Sequence, residues 1–128
     1  MKKILFVLLL VASLSSCSSS GSTAITSVDV NNFLLQISDK EVQIIDVRTP
    51  EEFAAGHLSG AVNIDVSGSS FDLEINKLDK NARYALYCRS GNRSTIAAEK
   101  MADAGFTNII NFNKGGFAEL ESAGAATE

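Results

Sequence analysis

Tryptophan is absent from the 128 residues, proline and histidine each occur once, and cysteine occurs twice. His57 cannot build a metal site by itself. With two cysteines as far apart as Cys17 and Cys88, neither a C-x-x-C redox pair nor a multi-cysteine zinc site is available. A surplus of positive charge is missing too: 11 Lys and Arg face 15 Asp and Glu. Nucleic acid is therefore a poor partner. No internal repeat occurs, and no apolar run reaches the roughly 20 residues of a membrane-spanning helix.

The longest apolar run lies at the amino terminus. Met1-Lys2-Lys3 is basic, Ile4 to Ala12 is nearly all aliphatic, and Leu14-Ser15-Ser16-Cys17 ends in small residues before a cysteine. This is the pattern of a secretory signal over residues 1–16. Its last four residues resemble the lipobox of bacterial lipoproteins, which implies that Cys17 carries a lipid and becomes the first residue of the mature chain. Ser18 replaces the aspartate that, in many Gram-negative lipoproteins, marks inner-membrane retention, so the expected site is the outer membrane facing the periplasm if the source is Gram-negative. Removing Lys2 and Lys3 leaves 9 basic against 15 acidic residues and a formal charge of −6. With Cys17 occupied by lipid, Cys88 has no partner for a structural disulfide, even in an oxidising compartment.

Residues 17–23 continue as Ser-Ser-Ser-Gly-Ser-Thr after the lipidated cysteine, a tether able to reach about 20 Å. Residues 24–128 remain for one compact domain. Strand-like runs at Val42–Asp46, Ala61–Ile64, Tyr84–Cys88 and Asn108–Phe112 alternate with helix-like segments. Ser27 is placed to cap a helix over Val28–Ile37, and Thr49-Pro50-Glu51-Glu52 has the form of a capping box with proline at the first helical position. Further helices are expected over Phe71–Leu78 and Thr95–Ala104, the second stopped by Gly105. Strands separated by helices imply an α/β fold: a mostly parallel central sheet flanked by helices on both faces, with Tyr84–Cys88 a central strand.

At the end of that strand stands Cys88-Arg89-Ser90-Gly91-Asn92-Arg93-Ser94. A strand-to-helix turn gathers backbone N–H groups and the positive end of a helix at one point. A thiol held there ionises more easily than a free one, because amides and guanidinium groups favour the thiolate. Arg89 and Arg93 are two of four arginines in an acidic domain. The spacing also discriminates between chemistries. Protein tyrosine phosphatases use Cys-x5-Arg to ring a phosphate, whereas only four residues separate Cys88 from Arg93, so the ring is one residue short.

Asp46-Val47-Arg48-Thr49-Pro50-Glu51-Glu52-Phe53, Gly56-His57-Leu58-Ser59-Gly60-Ala61-Val62-Asn63-Ile64, the Cys88 loop and Gly115-Gly116 together resemble the successive signatures of a single-domain rhodanese. The resemblance covers essentially the whole mature domain. It implies the rhodanese fold and a sulfurtransferase of the thiosulfate:cyanide type. Cys88 would be the catalytic residue, passing through a persulfide, with no metal and no cofactor. Arg89, Ser90, Gly91, Asn92, Arg93 and Ser94 would bind the anionic donor and support the thiolate. It further implies that Asp46 and Arg48 brace the active loop from behind. His57 is assigned a turn-stabilising hydrogen bond, since attack by an ionised thiol needs no general base, and Gly115-Gly116 a tight turn that exploits glycine's φ freedom.

Two positions depart from the family pattern. Ser59 stands where many members have proline, which loosens a turn, and Leu120 stands near the usual tryptophan, which is expected to leave a smaller apolar wall beside the pocket. The expected partners are a small sulfur donor, a thiol or cyanide acceptor, a membrane reached through the lipid, and a protein sulfur acceptor. An alternative function stays open: a tethered module that relays a persulfide or holds an oxyanion without turnover.

Overall fold

The computed structural model describes residues 23–128; the signal, Cys17 and residues 18–22 of the tether lie outside the described residues. Five strands, β1 (Ile25–Val28), β2 (Val42–Asp46), β3 (Val62–Asn63), β4 (Arg83–Tyr87) and β5 (Ile109–Phe112), form one sheet in the order β1-β5-β4-β2-β3. Every pairing in it is parallel. Five helices connect and flank the strands: α1 (Val30–Ile37), α2 (Pro50–Ala55), α3 (Phe71–Ile75), α4 (Asn92–Asp103) and α5 (Phe117–Ser122). This is the expected α/β arrangement of a parallel sheet flanked by helices, with β4 at the centre.

Side-chain alternation along β4 divides the core. Tyr84, Leu86 and Cys88 face one layer, packed with Ala97, Ala98 and Met101 of α4 and with Phe71 and Ile75 of α3. Ala85 and Tyr87 face the other, with Phe33 of α1 and Leu120 of α5. A strand buried on both faces reads as a continuous apolar run, which is why β4 stands out in the sequence. Its neighbours are fixed in register, Asp46 opposite Tyr87 and Ile109 opposite Tyr84.

Five local expectations change. Ser27 and Val28 belong to β1, paired with Asn111 and Phe112, so Ser27 caps nothing. The α1 cap is Asp29, whose side chain accepts the Asn32 N–H at 2.8 Å. Helix α3 ends at Ile75, short of Leu78, and α4 begins at Asn92, three residues before Thr95. Helix α5 follows Gly116, where the sequence reading placed only a turn. Leu120 of α5 is fully buried against the sheet, so it belongs to the core and forms no wall of a pocket.

Candidate active site

Neighbouring strands β4 and β2 both end in short turns that lead into helices, and the candidate residues gather at these two turns. Cys88 leaves β4 fully buried, and the Gly91 N–H donates to its Sγ at 3.0 Å. Burial pushes the Cys88 thiol up, but the amides of Ser94 and Ser90, the Ser94 hydroxyl and the Gly91 amide outweigh it, and the net shift is downward. Gly91 adopts φ +93°, and a Cβ there would lie 2.5 Å from the Asn113 carbonyl oxygen, so both conformation and space demand glycine. Its carbonyl accepts bonds from Thr95 Oγ1 at 2.8 Å and Ser94 Oγ at 3.2 Å, and Asn111 Nδ2 donates to Thr95 Oγ1 at 3.0 Å. The turn is thus held from beneath by β5.

Asn92, Arg93 and Ser94 form the first turn of α4 and are not open loop. Asn92 is exposed and Ser94 buried. Arg93 is engaged rather than free. Its Nη1 and Nη2 donate to the two carboxylate oxygens of Glu52 at 2.7 and 2.9 Å. Glu52 also accepts from the Thr49 N–H and hydroxyl, and the guanidinium beside it, with these two bonds, holds its carboxyl down at about 2. Arg89 and Ser90 are exposed, and among the described residues Arg89 has neither an ion pair nor a side-chain hydrogen bond.

Behind the turns lies a second ion pair. Arg48 Nε and Nη2 hold Asp46 at 2.9 and 2.6 Å, and Nη2 also donates to the Gly56 carbonyl at 2.7 Å. Tyr87 donates its hydroxyl to Asp46 Oδ2 at 2.7 Å and accepts the Leu58 N–H at 3.0 Å. Burial, together with the charge of Asp46, raises the phenol's pKa, so Tyr87 stays a donor. The Arg48 guanidinium lies 4.5 Å above the Phe117 ring. His57 is set apart from this cluster. Its Nδ1 lies 2.8 Å from the Phe53 carbonyl, its ring stacks on Phe53 at 3.6 Å, and Nε2 is 3.3 Å from Glu128. Around it the 57–59 segment exchanges backbone bonds with residues 126–128.

Helix α5 closes the site. The Phe117 N–H donates to the Cys88 carbonyl at 2.9 Å. Gly116 is extended, at φ −151°, so it supplies room and not φ freedom: a Cβ would run into the Arg89 and Cys88 carbonyl oxygens. A cavity of about 300 Å³ opens at this end, lined by Arg48, Glu52, Ala55, Gly56, Arg89, Phe117 and Ala118. Glu52, Tyr87 and Phe117 are the site residues the sequence reading passed over. Glu52 was visible only as half of a capping box.

The chain matches the Rhodanese-like domain family over residues 29–123 and a prokaryotic membrane lipoprotein lipid attachment site over residues 1–18. It is 33% identical over 95 residues to YrkF of Bacillus subtilis, a provisional sulfur carrier by name, covering 73% of this chain and 50% of that protein. Over 67 residues it is 34% identical to the thiosulfate sulfurtransferase PspE of Escherichia coli, covering 52% of this chain and 64% of that protein. It thus spans between half and two thirds of these two relatives. The solution structure of the rhodanese-like domain of Alr3790 from Anabaena superposes with a TM-score of 0.71 at 23% identity, covering 80% of this chain and 77% of that one.

Proposed function

The chain belongs to the rhodanese-like domain family, and on that premise we propose that it is a sulfurtransferase that carries sulfane sulfur as a persulfide on Cys88. One observation supports this above the rest: a buried thiol at a strand-to-helix turn, with a backbone N–H 3.0 Å from its sulfur and its pKa shifted down. In the first half-reaction the Cys88 thiolate attacks the outer sulfur of a donor such as thiosulfate. The donor's S–S bond breaks, sulfite leaves with the electron pair, and a persulfide remains on Cys88. In the second, cyanide or a thiolate attacks that outer sulfur and the thiolate returns. Amides of the turn stabilise the charge on sulfur in both steps. Arg89 meets the donor at the rim, and Arg93 acts at the loop's base through its pair with Glu52.

Asp46, Arg48 and Tyr87 position the turn from behind, and His57 fixes the neighbouring 57–59 segment. Residues 1–16 serve as the signal, residues 17–23 as the lipidated cysteine and tether, and residues 24–128 as the catalytic body. The lipid attachment site supports an exported, membrane-anchored protein; incorporation of labelled lipid, lost in Cys17→Ala, tests the anchor.

The main test is thiocyanate production from thiosulfate and cyanide, with mass spectrometry for one added sulfur on Cys88. Cys88→Ser is expected to abolish both. A relay without turnover is the second reading, favoured by the complete burial of the thiol. It wins if wild type turns over no faster than Cys88→Ser yet accepts sulfur from a protein donor.

A further inference from the structure

Among the described residues only two buried side-chain polar atoms lack a hydrogen-bond partner, Oδ1 of Asn111 and Oδ1 of Asn113, two positions apart at the end of β5. Both residues lie under the Gly91 turn. Asn111 is the odd member of its strand: the others are Ile109, Ile110 and Phe112, and it is itself only 1% exposed. It stands opposite Leu86, two residues before Cys88, with its side chain on the α4 side of the sheet. A leucine of the same outline would fill that place without leaving a buried oxygen unpaired, which is costly. The reason for a carboxamide therefore lies at its other end. Nδ2 donates to Thr95 Oγ1 at 3.0 Å, and Thr95, its oxygen so engaged, donates its one proton to the Gly91 carbonyl at 2.8 Å. The same carbonyl lies 3.2 Å from the Ser94 hydroxyl, which also has one proton and stands 3.2 Å from the Phe112 carbonyl.

We propose that Asn111 is a positioning residue for the Cys88 thiolate: by engaging the Thr95 oxygen it commits the Thr95 proton to the Gly91 carbonyl, which fixes Gly91 with its N–H on Cys88 and leaves the Ser94 hydroxyl to turn toward the sulfur. The Gly91 N–H and C=O flank one Cα, so holding the carbonyl holds the φ and ψ that aim the N–H at Sγ, 3.0 Å away. Ser94 is the donor this releases, and its hydroxyl is among the groups that lower the Cys88 pKa. Asn111, Thr95 and Gly91 are all uncharged. The charges around the turn belong to Arg89, the Arg93–Glu52 pair, the Asp46–Arg48 pair and Asp65, and a change at Asn111 or Thr95 alters none of them. A shift in Cys88 ionisation on such a change therefore reports hydrogen bonding and not charge. Its consequence for turnover rests on the sulfurtransferase reading; its effect on ionisation does not.

The test is alkylation of Cys88 by iodoacetamide across pH in the full-length chain in detergent, read at the Cys88 peptide by mass spectrometry. Asn111→Leu keeps the outline of the side chain and removes the amide, and Thr95→Val removes the hydroxyl. Each is expected to raise the alkylation midpoint by about 0.5 pH unit, a roughly three-fold slower reaction at pH values below both midpoints. The double variant should shift no further than either single one, since both break the same relay. Thr95→Ser restores the hydroxyl and should restore the midpoint. Chemical denaturation should find Asn111→Leu at least as stable as wild type, because the unpaired oxygen is gone. A midpoint unmoved in Asn111→Leu overturns the proposal whether or not stability falls, and so does a double variant whose shift is the sum of the two. If Asn111→Leu fails to fold, Thr95→Val and Thr95→Ser decide: equal midpoints in those two overturn the proposal. If the midpoints move as expected and wild type still loads sulfur from no donor, it is the sulfurtransferase reading that fails.

Discussion

The turns after β2 and β4 stand side by side and solve one problem in opposite ways. Each must deal with the unpaired N–H groups at the start of a helix. After β2, Thr49 Oγ1 accepts the Glu52 N–H at 3.3 Å, Glu52 accepts the Thr49 N–H at 3.0 Å, and Pro50 has no N–H to satisfy. After β4 the cap is Gly91, which has no side chain, and the Gly91 amide is spent on Cys88 Sγ. One turn is saturated by its own side chains and is structural. The other withholds a side-chain cap, and the freed amides become the electrostatics of a thiolate. Glu52 joins the two, serving as half of the first cap while holding Arg93 of the second helix.

Removing the support of the saturated side should have the largest effect on stability. Asp46→Asn leaves Arg48 buried with its charge uncompensated, and chemical denaturation should report a loss of about 3–5 kcal/mol. The open side is tested by pH. Folding lowers the Cys88 pKa, so the thiolate persists to lower pH than in the unfolded chain. Iodoacetamide alkylation should rise with pH through a midpoint below the roughly 8.5 of a free thiol. The linked stability is fully present above that ordinary value and is lost as pH falls through the folded one. A midpoint at or above 8.5 would erase the contrast between the turns. The smallest effect belongs to Thr49→Ala, about 1 kcal/mol of stability by denaturation with the alkylation midpoint unmoved.

Legibility followed the same division. The β4 strand, the Cys88 turn and the Thr49 capping box could be read because each is a local pattern: an apolar run, a glycine among small residues, a threonine three residues before a glutamate. Strand β1 could not. It is four residues at a sheet edge, and only its pairing with β5 makes Ile25–Val28 a strand. The fate of Arg93 is equally hidden in the sequence, since its partner lies 41 residues away and the capping pattern with Thr49 accounts for that glutamate by itself. Gly116 is visible in the sequence, but the reason for a glycine there is not. The need there is room for two carbonyl oxygens, which depends on where α5 docks and not on the glycine's own φ.

An all-parallel sheet also gives the molecule a handle and a working pole. Ile25 is level with Ile109, and Ile109 with Tyr84, so the chain enters β1 four residues below Cys88 along the strand direction. At about 3.3 Å per residue that is roughly 13 Å. The chain therefore enters the sheet at the end opposite the sulfur, and the reactive turn lies at the far pole of β4 from Ile25.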